Sequence, residues 1–277
     1  MKSFSLRHLY FSPTVLLLIA TFANAQASYK EIAVKSGAAI RGRVLLSSKD
    51  VRLPKITINK DSSVCGNAKD NPTLIVGKTG GVKNSIVYLE GITQGKTMGE
   101  LMKAELDQVQ CEYEPHVLIV PSGSKVDILN SDSVLHSVHA YDLTGASSTG
   151  LPTVFNIALP LKGQRIPKQL ASGRLLLNLC DAGHPWMNSY VMPANHPYYA
   201  VTDEEGNFVL ENVPPGAYTI KMWHEPVLHI SEKTGSHDYL KSKESVVIKK
   251  VTVKPGATVT VDFELAVPDS LLQVVKK

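Results

Sequence analysis

Apolar residues along the chain come in short runs, often alternating with polar ones, and Gly, Pro, Asn and Asp break the runs. AIRGRVLL, PKITINK, TLIVG, SIVYLEGI, HVLIVPSGSKVDILN, SVLHSVHAY, RLLLNLC and SYVM are all of this kind and rich in Val, Ile, Leu and Tyr. Alternation with period two marks strands with one buried face, and repeated short strands with turn punctuation predict an all-β sandwich or barrel. GKTMGELMKAELDQV alone has some helical spacing, but its two glycines leave a long loop equally open.

The pattern changes after Pro197. YYAVTDEEGNFVLENVPPGAYTIKMWHE and VIKKVTVKPGATVTVDFEL read as strands around acidic, Pro-Pro-Gly and Pro-Gly turns. This predicts a second small antiparallel sandwich over 196–268, packed on a first domain over 29–195 without a flexible linker. Phe208, Leu210, Tyr218 and Ile220 are its expected inward set. HISEKTGSHDYLKSKES reads as an exposed hairpin loop carrying His229 and His237.

The first 25 residues stand apart. Lys2 and Arg7 precede the apolar TVLLLIATFA and the small-residue ANA, which is the layout of a secretory signal peptide. Cleavage there leaves about 250 residues and predicts a periplasmic or secreted protein. Loss of Lys2 and Arg7 lowers the formal net charge from +4 to about +2. No basic block remains to recruit nucleic acid, and no later segment reaches the roughly 20 apolar residues of a membrane span.

Export changes the meaning of the three cysteines. In an oxidising compartment thiols pair, so one of Cys65, Cys111 and Cys180 is left over. Cys65 and Cys111 lie in polar, turn-like surroundings (DSSVCGN, VQCEYEP) and are the expected disulfide. Cys180 ends an apolar strand and opens CDAGHPWM, which places an imidazole and a thioether within eight residues of the thiol.

Thiolate, imidazole and thioether together suit copper. A type-1 site takes one Cys and two His in a trigonal arrangement with a weak axial Met. Cys180, His184 and Met187 can come from one loop folded back after a strand. SDSVLHSVHAYD offers the second imidazole: His136 and His139 fall on opposite faces of a strand, and His136 shares the face of Val138 and Ala140. The expected ligands of one copper ion are therefore His136, Cys180, His184 and Met187. Zinc fits less well, because methionine is a poor zinc ligand. His116, His139, His196 and His224 are read as turn-capping or carboxylate-paired residues, with a second metal site as the alternative. No nucleophile elbow, His-Glu-x-x-His helix, phosphate-binding loop or haem-attachment motif is present, so nothing argues for an enzyme.

HSVHAYD resembles the cupredoxin segment in which a copper histidine is followed by Asn-Val, and CDAGHPWM resembles the cupredoxin Cys…His…Met loop. With VCG, LDQVQCEYEPHVLIVPSGSKVDILNSDSVLHSVHAYD and NHPYYAVTDEEGNFVLENVPPGAYTIKMWHE, the ordered motifs resemble a bacterial exported family. Its members join a plastocyanin-like domain to a carboxypeptidase-regulatory-like, transthyretin-type β-sandwich. The resemblance implies a cupredoxin-like Greek-key fold, copper, and single-electron exchange with other exported redox proteins. A non-redox cell-envelope scaffold, or a copper carrier without a permanent metal, is the alternative. The chain departs from that family in having Cys-x3-His for Cys-x2-His, and from cupredoxins in having Ser137 for Asn.

Overall fold

The computed structural model describes residues 29–48, 51–101, 104–145, 150–170, 173–228, 230, 234, 238 and 243–267. The leader, His229 and His237 lie outside them. The fold is all-β: two sandwiches, each with its own apolar core, pack side by side. Among the described residues no helix is long and apolar enough to cross a membrane.

The first sandwich has two sheets. One sheet runs in the order Gln164–Gln169, Lys125–Asn130, Glu105–Val109, Glu112–Glu114. The other runs Thr153–Leu159, His136–Asp142, Leu176–Leu179, Asn188–Ala194, Val117–Pro121. Hairpins within a sheet alternate with crossings from one sheet to the other, and Leu106, Ile128, Val138, Leu177 and Tyr190 fill the space between. The stretch with helical spacing forms only a 3-10 turn at Met98–Leu101 and then the strand Glu105–Val109. Its Leu106 and Gln108 point inward with period two, which outweighs helix propensity.

The second sandwich departs from the expected boundaries. Its sheets run Tyr199–Val201, Ile86–Glu90, Gly216–His224, Ser245–Val253 and Asn207–Val213, Ala38–Leu46, Thr258–Thr260, with Phe263–Leu265 also on Ala38–Leu46. Two of these strands, Ala38–Leu46 and Ile86–Glu90, precede every strand of the first sandwich. A division into 29–195 and 196–268 therefore cuts across the sheets: the strands of the first sandwich, 105–194, are inserted between the two parts of the other one. The C-terminal strands alone would leave unpaired edges, and Ala38–Leu46 satisfies them on both sides. Phe208, Leu210 and Ile220 are buried as expected, and Tyr218 packs half-buried against the same core.

Candidate metal centre

Antiparallel pairing sets the position of the centre. His139 pairs with Leu179, so Cys180, the next residue, arrives beside the start of the His136–Asp142 strand. The chain then turns back at once: Met187 N–H donates to the His184 carbonyl over 2.9 Å, and Cys180 N–H to the Met187 carbonyl over 3.2 Å. Gly183, at φ 90°, turns this loop in a conformation that side chains disfavour. Met187 is buried in the same core as Cys180 and Trp186.

Three donor atoms converge there. Cys180 Sγ lies 3.7 Å from His184 Nδ1 and 4.0 Å from His136 Nδ1. The two imidazoles meet edge to face at 4.9 Å between ring centres, and both are fully buried. An ion about 2.0–2.1 Å from imidazole nitrogen and about 2.3 Å from thiolate sulfur, bound trigonally, needs those donors roughly 3.8 Å apart. The spacing and softness of the donors fit copper.

Each imidazole is held from behind. His136 Nε2–H donates to Asp132 Oδ2 over 2.8 Å, and His184 Nε2–H donates to Asp61 Oδ2 over 3.0 Å. A carboxylate only accepts, so each ring carries a proton on Nε2 and turns Nδ1 toward the sulfur, as a lone-pair donor when the ring is neutral. Burial, and then the neighbouring His136, push the His184 pKa down, which favours this neutral form. Burial pushes the Cys180 thiol up, offset in part by N–H groups of Ser137 and Ala182.

The carboxylates have different supports. Asp132 also accepts the N–H groups of Gln110 and Cys111, both over 2.7 Å. Those residues form the two-residue hairpin between Glu105–Val109 and Glu112–Glu114, at φ 51° and 60°. Hairpins of that kind favour Asn-Gly; here the Asp132 carboxylate and a covalent bond hold Gln-Cys in their place. That bond is the Cys65–Cys111 disulfide, and Cys180 is free and buried. The disulfide lies against the centre, with its sulfurs and a His184 ring nitrogen within 4.8 Å of one another. Trp186 stands edge-on to His184 at 5.2 Å and donates from Nε1 to the Cys111 carbonyl over 3.0 Å. At 3 % exposure it shields the centre from solvent.

The other histidines lie elsewhere. His139 faces away, between Asp181 and Thr153 Oγ1, and stacks on Tyr141. His116 pairs with the Glu225 carboxylate, and His224 Nδ1 meets the Glu225 backbone carbonyl. His196 Nδ1 accepts the N–H of Tyr198. Among the described residues the potential ligand clusters of His, Cys, Asp and Glu include none of these four. Sequence reasoning missed Asp132 and Asp61. The first stands one helical turn's spacing before His136 but on a loop; the second carries no signal beyond its nearness to Cys65.

No known family profile and no curated protein matches the chain. Among solved structures it is similar to a purple cupredoxin from Nitrosopumilus maritimus, at 24 % identity and TM-score 0.28 over 33 % of this chain and 99 % of that one. Auracyanin from Roseiflexus castenholzii matches at 14 % identity and TM-score 0.25, over 32 % and 94 %. A copper-containing nitrite reductase from Thermus scotoductus matches at 18 % identity and TM-score 0.27 over 34 % of this chain, which spans only 22 % of that protein.

Proposed function

We propose that the protein is an exported copper protein that passes single electrons and catalyses no reaction of its own. His136, Cys180 and His184 would hold the ion equatorially, with Met187 as the weak axial donor. The observation that carries this reading is the convergence of one Sγ and two Nδ1 atoms in a site closed to water. When bound, copper supplies a one-electron couple that soft sulfur and neutral imidazole together keep accessible.

The chain's own residues do the rest. Two carboxylates fix the ring orientations, Ser137 N–H donates to Cys180 Sγ over 3.4 Å, and paired strands on either side resist rearrangement. Loading must displace the thiol proton, so uptake releases acid and weakens as pH falls. Partners would be other exported redox proteins, and the second sandwich, read as a carboxypeptidase-regulatory-like domain, would serve structurally.

Adding Cu(II) to the purified protein is expected to give a strong visible thiolate-to-copper band. Cys180→Ser should abolish it, His136→Ala should cost affinity heavily, and His139→Ala should not. Met187→Leu should keep the metal and raise the potential. A colourless protein with a titratable thiol after Cu(II) addition would reject the copper reading in favour of a scaffold.

A further inference from the structure

We propose that Asp61 is a positioning residue of the metal centre: its carboxylate orients His184 through Nε2 and strengthens the Nδ1 donor toward Cu(II). This rests on the copper reading above.

Asp61 immediately precedes the short helical turn Ser62–Cys65, where an aspartate ordinarily caps the free N–H groups with its side chain. It makes no such cap bond. Its backbone carbonyl instead accepts the N–H groups of Val64 and Cys65, each over 2.9 Å, and the residue sits in the left-handed region at φ 51°, ψ 35°. That conformation is a strained one for a residue with a side chain, and the carboxylate, not used in capping, places one oxygen 3.0 Å from His184 Nε2.

The turn is anchored on both sides. Cys65 is bonded to Cys111, and Lys60 Nζ donates to the carbonyl of Ala182 inside the ligand loop. Ile56, Ile58 and Cys65 are buried in the cupredoxin-like core although their segment lies outside its sheets. A stretch of chain from before the inserted domain thus closes over the ligand loop and delivers one charge to one imidazole.

Asp61 differs from Asp132 in what else it holds. Asp132 secures two amides of a strained hairpin besides His136, whereas among the described residues the Asp61 carboxylate bonds to His184 alone. Its removal should therefore disturb the centre more than the fold. Outer carboxylates on metal-binding histidines fix the tautomer and raise ligand basicity, and their loss commonly costs 10–100-fold in metal affinity.

The test uses the mature chain, Asp61→Ala and Asp61→Asn, with inorganic Cu(II) and Cu(I) as the only metals. In metal-free protein, nitrogen NMR of His184 should show a pure Nε2–H tautomer for wild type and a mixture for Asp61→Ala. Asp61→Asn should restore the tautomer, because its amide oxygen still accepts. Cu(II) affinity should fall at least tenfold in Asp61→Ala with Cu(I) affinity less changed, and a tenfold selective loss corresponds to a potential about 59 mV higher. Asp61→Asn should recover most of the affinity and keep a raised potential. An intact Cys65–Cys111 bond by mass mapping confirms the fold of each variant. Variants with wild-type tautomer, affinity and potential would overturn this inference alone, whereas a wild type without a thiolate band would overturn the copper reading and this inference with it.

Discussion

The backbone N–H of Ser137 points at Cys180 Sγ over 3.4 Å, while the Ser137 hydroxyl lies 3.8 Å from the same sulfur and accepts Ala182 N–H over 3.0 Å. One residue thus holds the sulfur with its main chain and the ligand loop with its side chain. Ser137→Ala removes the loop bond and the long hydroxyl contact to the sulfur but keeps the main-chain bond to it. It is expected to destabilise the fold by about 1 kcal/mol, the worth of one hydrogen bond left unmade, and to leave the position of the copper band nearly unchanged. A band that shifts strongly would show that the hydroxyl, not the amide, sets the environment of the thiolate.

Asp132→Ala should behave differently. It strips acceptors from Gln110 and Cys111, whose left-handed backbones the carboxylate stabilises, and unpairs a fully buried His136. Bonds to a charged acceptor are worth about 1.5–3 kcal/mol each, so loss of the two hairpin bonds alone should cost about 3–6 kcal/mol in urea unfolding. A loss below 1 kcal/mol would mean that the hairpin holds itself.

What the sequence reveals of this arrangement follows from range. The Asn207–Val213 strand buries one face, so its alternation is visible in the residues themselves, whereas His136–Asp142 is buried on both faces and is legible by its run of β-forming residues. Thr153–Leu159 and Gln164–Gln169 are edge strands, largely exposed on both faces, and the second contains Pro167; their residues carry no strand pattern. Cys180 and His184 are legible as a pair because one loop carries both. Asp61 reaches His184 across 123 residues, and nothing local to either announces the other. The same limit hides the pairing of Ala38–Leu46 with Asn207–Val213, which moves the domain boundary.

Removing the disulfide tests how firmly the outer segment is tethered. The bond closes a separation of 46 residues, worth about 4 kcal/mol in the chain-entropy description. The double variant Cys65→Ser, Cys111→Ser should melt roughly 8–16 °C lower, at about 2–4 °C per kcal/mol for a chain of this size. Denatured, unreduced wild type should titrate a single thiol, Cys180. Recovery of Cys180 in a disulfide-linked peptide would count against both the pairing and the metal centre.

His196 should make the protein acid-sensitive independently of the metal. It is buried against Tyr199, with ring centres 4.7 Å apart, and its Nδ1 accepts the Tyr198 N–H, which a protonated ring cannot do. Burial depresses its pKa from 6.5 to about 4. Between those values the unfolded chain binds a proton that the folded one refuses, so stability is complete above pH 6.5 and falls as pH drops toward 4. The full difference is about 3 kcal/mol at 1.36 kcal/mol per pKa unit. Metal-free wild type unfolded in urea at pH 7 and pH 4.5 should show this decline, and His196→Gln, whose amide oxygen can still accept the Tyr198 N–H, should flatten it. An equal decline in the variant would assign the acid sensitivity to other buried groups such as His224.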